Sequence, residues 1–129
     1  MPADIDRQYA RYNLPDHGKL LENVIRWASK DSIPLKVESA GLIDCNLYRQ
    51  QNRLVLHVVN LTSAGTWRQP TDEFIPVGPV KVGLKLPVDV TGKKMKFLVS
   101  EQDISADFKD GWIHFIIPSI AEHEVVVVS

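Results

Sequence analysis

The spacing of hydrophobic residues changes once along this chain, near Pro34. Before it, Leu20, Leu21, Val24, Ile25, Trp27 and Ala28 fall at i, i+1, i+4, i+5, i+7 and i+8, which is one stripe on a helix; Glu22, Asn23 and Arg26 take the other face. Asn13-Leu14-Pro15-Asp16 supplies helix-start chemistry, with Asp16 the expected N-cap because its carboxylate can accept from the free amides of the first turn. His17, beside that start, is expected to help cap it. Asp31-Ser32 and Pro34 predict a helix end between Ser29 and Asp31. The first twelve residues, MPADIDRQYARY, show neither a helical nor a strand period.

After Pro34 the period is 2. Leu35 to Glu38, Ile43 to Arg49, Leu54 to Asn60, Pro79 to Leu86, Met95 to Ser100, Trp112 to Pro118 and Glu124 to Val128 each read as strands. Val80, Val82, Leu84 and Leu86 face a core, while Lys81, Gly83 and Lys85 face water. Leu54 to Val59 and Ile113 to Ile117 are apolar on both faces and are the expected central strands. Gln51-Asn52, Thr91-Gly92-Lys93 and Lys109-Asp110-Gly111 read as hairpin turns. The connection from Leu61 to Gly78 is too long for a hairpin, and Trp67, Phe74 and Ile75 predict that it wraps the sheet and buries apolar groups of its own. The expected architecture is mainly β: an immunoglobulin-like antiparallel β-sandwich of about seven strands preceded by one amphipathic α-helix.

The chain has 129 residues, within a prior of roughly 100 to 200 per domain. Fifteen Lys and Arg against sixteen Asp and Glu leave a formal charge of -1 without a block of one sign, which argues against nucleic acid as a partner. A single cysteine, Cys45, rules out an internal disulfide and a Cys-based zinc site. No apolar run approaches the ~20 residues that span a bilayer, and the N-terminus lacks a signal-peptide layout, so the expected location is cytoplasmic.

Candidate chemistry is sparse. His17, His57, His114 and His123 include no pair at metal-ligand spacing, so no metal is expected; His57 and His114 sit in apolar strands, where a hydrogen-bonded core or interface role is the ordinary reading. Asp103, Asp107 and Asp110 lie in a polar connector without the alternation of a calcium loop. Gly-x-Ser-x-Gly, P-loop and Gly-x-Gly-x-x-Gly signatures are missing, and no cofactor is expected. Trp67, with Arg68 beside it, is the residue in the long connection that could stack on a sugar ring, against the commoner reading of a packed tryptophan. Asn60-Leu61-Thr62 matches a glycosylation sequon and reads as chance.

Several segments together resemble the C-terminal end of bacterial glycoside-hydrolase-like proteins related to the family 42 beta-galactosidases. They are Pro2-Ala3-Asp4-Ile5-Asp6-Arg7, Leu14-Pro15-Asp16-His17, Leu20-Leu21-x-Asn23-x-Ile25-Arg26-Trp27-Ala28, His57 to Thr62, Glu73 to Pro79 and His123 to Val127. Those proteins combine a TIM barrel, an amidotransferase-like middle domain and a β-sandwich. The resemblance implies that residues 1–33 close a preceding domain and 34–129 form the sandwich. It implies no catalytic residue here, since the family's carboxylates belong to the barrel, and a chain that is a fragment, a separate reading frame or a degenerate copy.

The function expected on that basis is a non-catalytic accessory or assembly domain whose partners are the parent's catalytic and middle domains or further copies of itself. Its interaction surface would be Asp4, Arg7, Arg11, Leu20, Leu21, Val24 and Trp27. A free-standing carbohydrate-binding module using the 61–78 connection is the alternative.

Overall fold

The computed structural model describes residues 4–62, 73–102 and 105–129. The chain divides into two compact units, Met1–Ile33 and Pro34–Ser129.

The first unit holds two helices, α1 (Ile5–Tyr12) and α2 (Pro15–Ala28). Helix α1 is a correction to the sequence reading. Ile5, Tyr9 and Tyr12 do share one helical face, but Asp6, Arg7 and Arg11 between them hide so short a period. Asn13 ends α1 in the left-handed conformation, donating its N–H to the Tyr9 carbonyl at 2.7 Å. The start of α2 also differs from expectation: Leu14 is the N-cap and no side chain caps it. Pro15 follows at the first helical position, where its missing N–H is no loss, and Asp16 sits inside the first turn as a charge favourable to the dipole. The C-cap is Ser29, as the turn chemistry predicts. The helices meet closely at Gly18, where a β-carbon would stand 2.7 Å from the Tyr9 ring.

The second unit is a sandwich of two four-stranded antiparallel sheets. One sheet has the order β1 (Leu35–Glu38), β4 (Val80–Lys85), β7 (Trp112–Ile117) and β6 (Asp107–Lys109); the other has β2 (Ile43–Gln50), β3 (Arg53–Asn60), β8 (His123–Val128) and β5 (Met95–Phe97). Strands β3 and β7, apolar on both faces in the sequence, are both interior to their sheets. The core between the sheets is built from Leu56, Val58 and Val126 of one and Val82, Leu84, Ile113 and Phe115 of the other, all buried. Val90, from the segment joining β4 to β5, is buried with them.

Among the described residues eight strands form, close to the seven or so expected. The extra one, β6, comes from the stretch read as a polar connector, because Phe108 pairs with Ile113 and a two-residue turn closes the hairpin with β7. In that turn Asp110 and Gly111 have φ of 52° and 77°, the twist of the Asp-Gly hairpins that suit antiparallel strands. A β-carbon at Gly111 would meet no atom within 4 Å, so Gly111→Ala isolates the backbone term. A loss of about 1 kcal/mol is expected in urea unfolding, and an unchanged midpoint would contradict a left-handed Gly111. The Thr91-Gly92-Lys93 segment, in contrast, is no hairpin: β4 and β5 lie in different sheets, so the chain crosses the sandwich there.

The described ends of the long connection are held by Asn60, a buried residue. Its side-chain amide donates to the carbonyls of Ile75 and Ala121, each at 2.8 Å, and its carbonyl accepts from the Thr62 N–H at 3.0 Å. Both ends of its side-chain amide are thus engaged. Phe74 and Ile75 are exposed, contrary to the packed role expected of them, and Val77 is buried instead through its bridge to Ile120.

Candidate functional site

A concavity lies on the outer face of the sheet containing β7. Antiparallel register sets Lys36 opposite Gly83, Gly83 opposite His114 and His114 opposite Asp107, so these four residues form one row across β1, β4, β7 and β6. Side chains alternate along a strand, so Trp112 flanks His114 on the same face, and Glu38 and Lys81 pair in the next row. A cleft of about 440 Å³ lies over this surface, lined among others by Lys36, Glu38, Lys81, Gly83, Asp107 and His114.

Its floor depends on a missing side chain. A β-carbon on Gly83 would stand 3.1 Å from His114 Nδ1, so the imidazole rests over the glycine. The Trp112 ring stacks beside it at 6.3 Å between centroids and 23° between planes. The Lys36 ammonium lies 4.6 Å from the indole centroid, and Lys81 and Glu38 form an exposed ion pair of 3.5 Å. The result is an aromatic shelf with donors and acceptors of both signs around it.

Sequence reasoning found only part of this. His114 was expected in a core or interface, yet it is exposed, as is Ile116 at 49%. Each sheet has one buried face, so an apolar run on both sides of β7 leaves one side at the surface. Trp112 went unnoticed because the stacking argument pointed to Trp67. A tryptophan two positions before a histidine, on one face of a strand, was the available signal.

Trp67, Arg68 and Asp103 fall outside the described residues. His57 is half-buried on the outer face of the other sheet, edge-on to Tyr48 at 5.5 Å. His123 is exposed on β8, and Asp110 is exposed in its turn. His17 lies within α2 rather than capping it, and its buried Nδ1 has no hydrogen-bond partner. Burial, then the Asp44 charge, pushes the Cys45 thiol above its ordinary pKa, which makes it a poor nucleophile. Among the described residues no group of three His, Cys, Asp or Glu could hold a metal ion.

On the helices, Leu20, Val24, Ile25 and Trp27 are exposed, Trp27 by 82%, while Leu21 is half-buried. Asp4, Arg7 and Arg11 are exposed, with Asp4 and Arg7 paired at 3.3 Å. Glu22 is held below the ordinary carboxylate range by hydrogen bonds from Arg26 and Lys19, which fixes the polar face of α2. No helix among the described residues is long and apolar enough to cross a membrane.

No protein-family model matches the chain, and no curated protein sequence matches it. Among solved structures, the alpha-L-fucosidase isoenzyme 2 of Paenibacillus thiaminolyticus superposes with a TM-score of 0.77 and 22% identity over 97% of this chain, which shows the fold. A cycloisomaltooligosaccharide glucanotransferase from a Paenibacillus species gives a TM-score of 0.49 and 11% identity over 80% of this chain. The chain spans 19% of the length of each.

Proposed function

We propose that this chain is a non-catalytic, immunoglobulin-like accessory or assembly domain of a bacterial glycoside-hydrolase-like protein related to the beta-galactosidases, occupying the C-terminal position in it. The observation that carries the reading is the stripe on α2: Leu20, Val24, Ile25 and Trp27 leave a contiguous run of apolar side chains in water, which marks an interaction face. The superposition of 97% of the chain on 19% of an alpha-L-fucosidase supports placement as one part of a larger carbohydrate-active enzyme. In that role the stripe and the Asp4 to Arg11 segment bind the preceding domains or further copies of the chain, and residues 34–129 act as the attached sandwich.

The test combines genome and hydrodynamics. A barrel and middle domain, encoded in the same reading frame as this chain or beside it, are expected to co-sediment with the wild-type chain when supplied as a separate polypeptide. Val24→Glu/Trp27→Glu places two charges in the stripe and is expected to weaken the association at least about tenfold, since desolvating an unpaired carboxylate opposes docking. A chain that stays monomeric and associates with no barrel or middle domain would remove the reading, and equal association by the double variant would remove the stripe from it.

A further inference from the structure

We infer that the cleft on the outer face of the β1-β4-β7-β6 sheet binds a neutral, polyhydroxylated ring, a pyranoside, against the Trp112–His114 shelf. The inference does not rest on the assembly reading, because the cleft lies wholly within residues 34–129 and needs no partner.

The charge balance selects the ligand class. Lys36 and Lys81 donate, while Glu38 and Asp107 accept, so an anion meets two carboxylates and a cation meets two ammonium groups. A ring bearing hydroxyls uses both sets, since each hydroxyl donates once and accepts through its lone pairs. Among the described residues the Asp107 carboxylate has no hydrogen-bond or ion-pair partner, and the Lys81–Glu38 pair is loose at 3.5 Å, so these groups can turn to a ligand at little loss. The Trp112 face completes the site. It adjoins the cleft beside His114 with the Lys36 ammonium over it, 4.6 Å from the ring centroid, and the apolar face of a pyranose can take the place of that ammonium and leave the lysine free to donate. Gly83 is the structural condition: without a side chain at that position the imidazole lies flat and extends the shelf. A peptide adding as a further strand is a poor fit, because the cleft lies on the face of the sheet and not along its edge.

The experiment is a backbone and indole NMR titration of the whole chain with methyl β-D-galactopyranoside, methyl α-L-fucopyranoside and methyl β-D-glucopyranoside, with methyl β-D-glucuronide as the anionic control. At least one neutral glycoside is expected to give saturable shifts at Lys36, Gly83, Asp107, His114 and the Trp112 indole, with the glucuronide binding more weakly. Asp107→Ala, at an exposed residue, and Trp112→Ala, at a half-buried one on the outer face, are expected to raise the dissociation constant about tenfold or more, and Gly83→Val to abolish the shifts by displacing the imidazole. Preserved spectral dispersion in the first two variants separates lost binding from lost folding. Trp27→Glu is expected to leave the titration unchanged. Saturation mapped to the 61–78 connection and abolished by Trp67→Ala, full affinity in Asp107→Ala and Trp112→Ala, or no shift with any neutral glycoside overturns the inference.

Discussion

Phe97→Ala is expected to lower the unfolding free energy by about 3–5 kcal/mol, read from urea unfolding followed by far-ultraviolet circular dichroism. Phe97 is 1% exposed and stands edge-on to Phe115 of the opposite sheet, with centroids 5.9 Å apart and planes at 90°. The pair is thus one of the places where the two sheets interlock, and such a geometry adds about 0.5–1.5 kcal/mol to the area it buries. Strand β5 has only three residues and a single neighbour, β8, so backbone bonds alone cannot hold that edge. Removing the ring leaves a cavity at the centre of a sandwich that cannot close over it without moving both sheets. Leu98→Ala, one residue on and 46% exposed, is the control and is expected to change stability by less than about 1 kcal/mol. Equal effects at the two positions would mean that β5 does not present Phe97 to the core.

Glu124→Ala should destabilise the fold by about 2–4 kcal/mol for a different reason. This residue is 2% exposed on the inward side of β8, opposite Val58, where hydrophobic periodicity alone would place a valine. Its carboxylate accepts from the amides of Val99 at 3.0 Å, Ser100 at 3.1 Å and Val125 at 2.8 Å, tying the chain that leaves β5 back onto β8. Alanine strands three donors at once. Burial by itself raises the Glu124 pKa, but the hydrogen bonds from Ser100, Val99 and Val125 outweigh it and hold the group below the ordinary glutamate value of 4.5. A folded-state pKa below the unfolded one contributes stability that is present above pH 4.5 and is lost as the pH falls through the folded value. Glu124→Gln keeps the shape and removes the titration. It is expected to be less stable than the wild type at neutral pH and to lose less stability on acidification. The exposed carboxylates Glu22 and Asp89, also held below their ordinary values by Arg26 with Lys19 and by Arg49, leave some acid dependence in both proteins. An identical pH slope in the Gln variant would show that Glu124 is not bound as a carboxylate.

Much of the fold was legible residue by residue. Period 2 after Pro34 marks strands because side-chain alternation is a local property of extended backbone, and Asp110-Gly111 marks a hairpin because left-handed conformations are a local property of those residues. Phe108 shows the limit: a lone aromatic between Asp107 and Lys109 carries no period, and only its pairing with Ile113 makes β6 a strand. Helix α1 is the same case, since its apolar face gains meaning from Tyr9 lying on Gly18. The cleft was least legible, because Lys36, Gly83 and the Asp107–His114 hairpin are separated by long stretches of chain, and no spacing along the sequence announces that they meet.

By itself, then, the sequence determined where most of the strands lie, which side chains share a face and that one helix carries an apolar stripe. Only the tertiary structure decided which face of each strand is covered, that β4 and β5 belong to different sheets, and that a glycine lies under an imidazole. The reason is physical: alternation and turn conformation depend on a residue and its neighbours, whereas sheet membership and register depend on which distant segments bury the most apolar surface together. His114 is the clearest instance. Its strand is apolar on both sides, yet the sandwich has two layers and covers only one, so a residue that pattern assigns to the interior stands in the cleft.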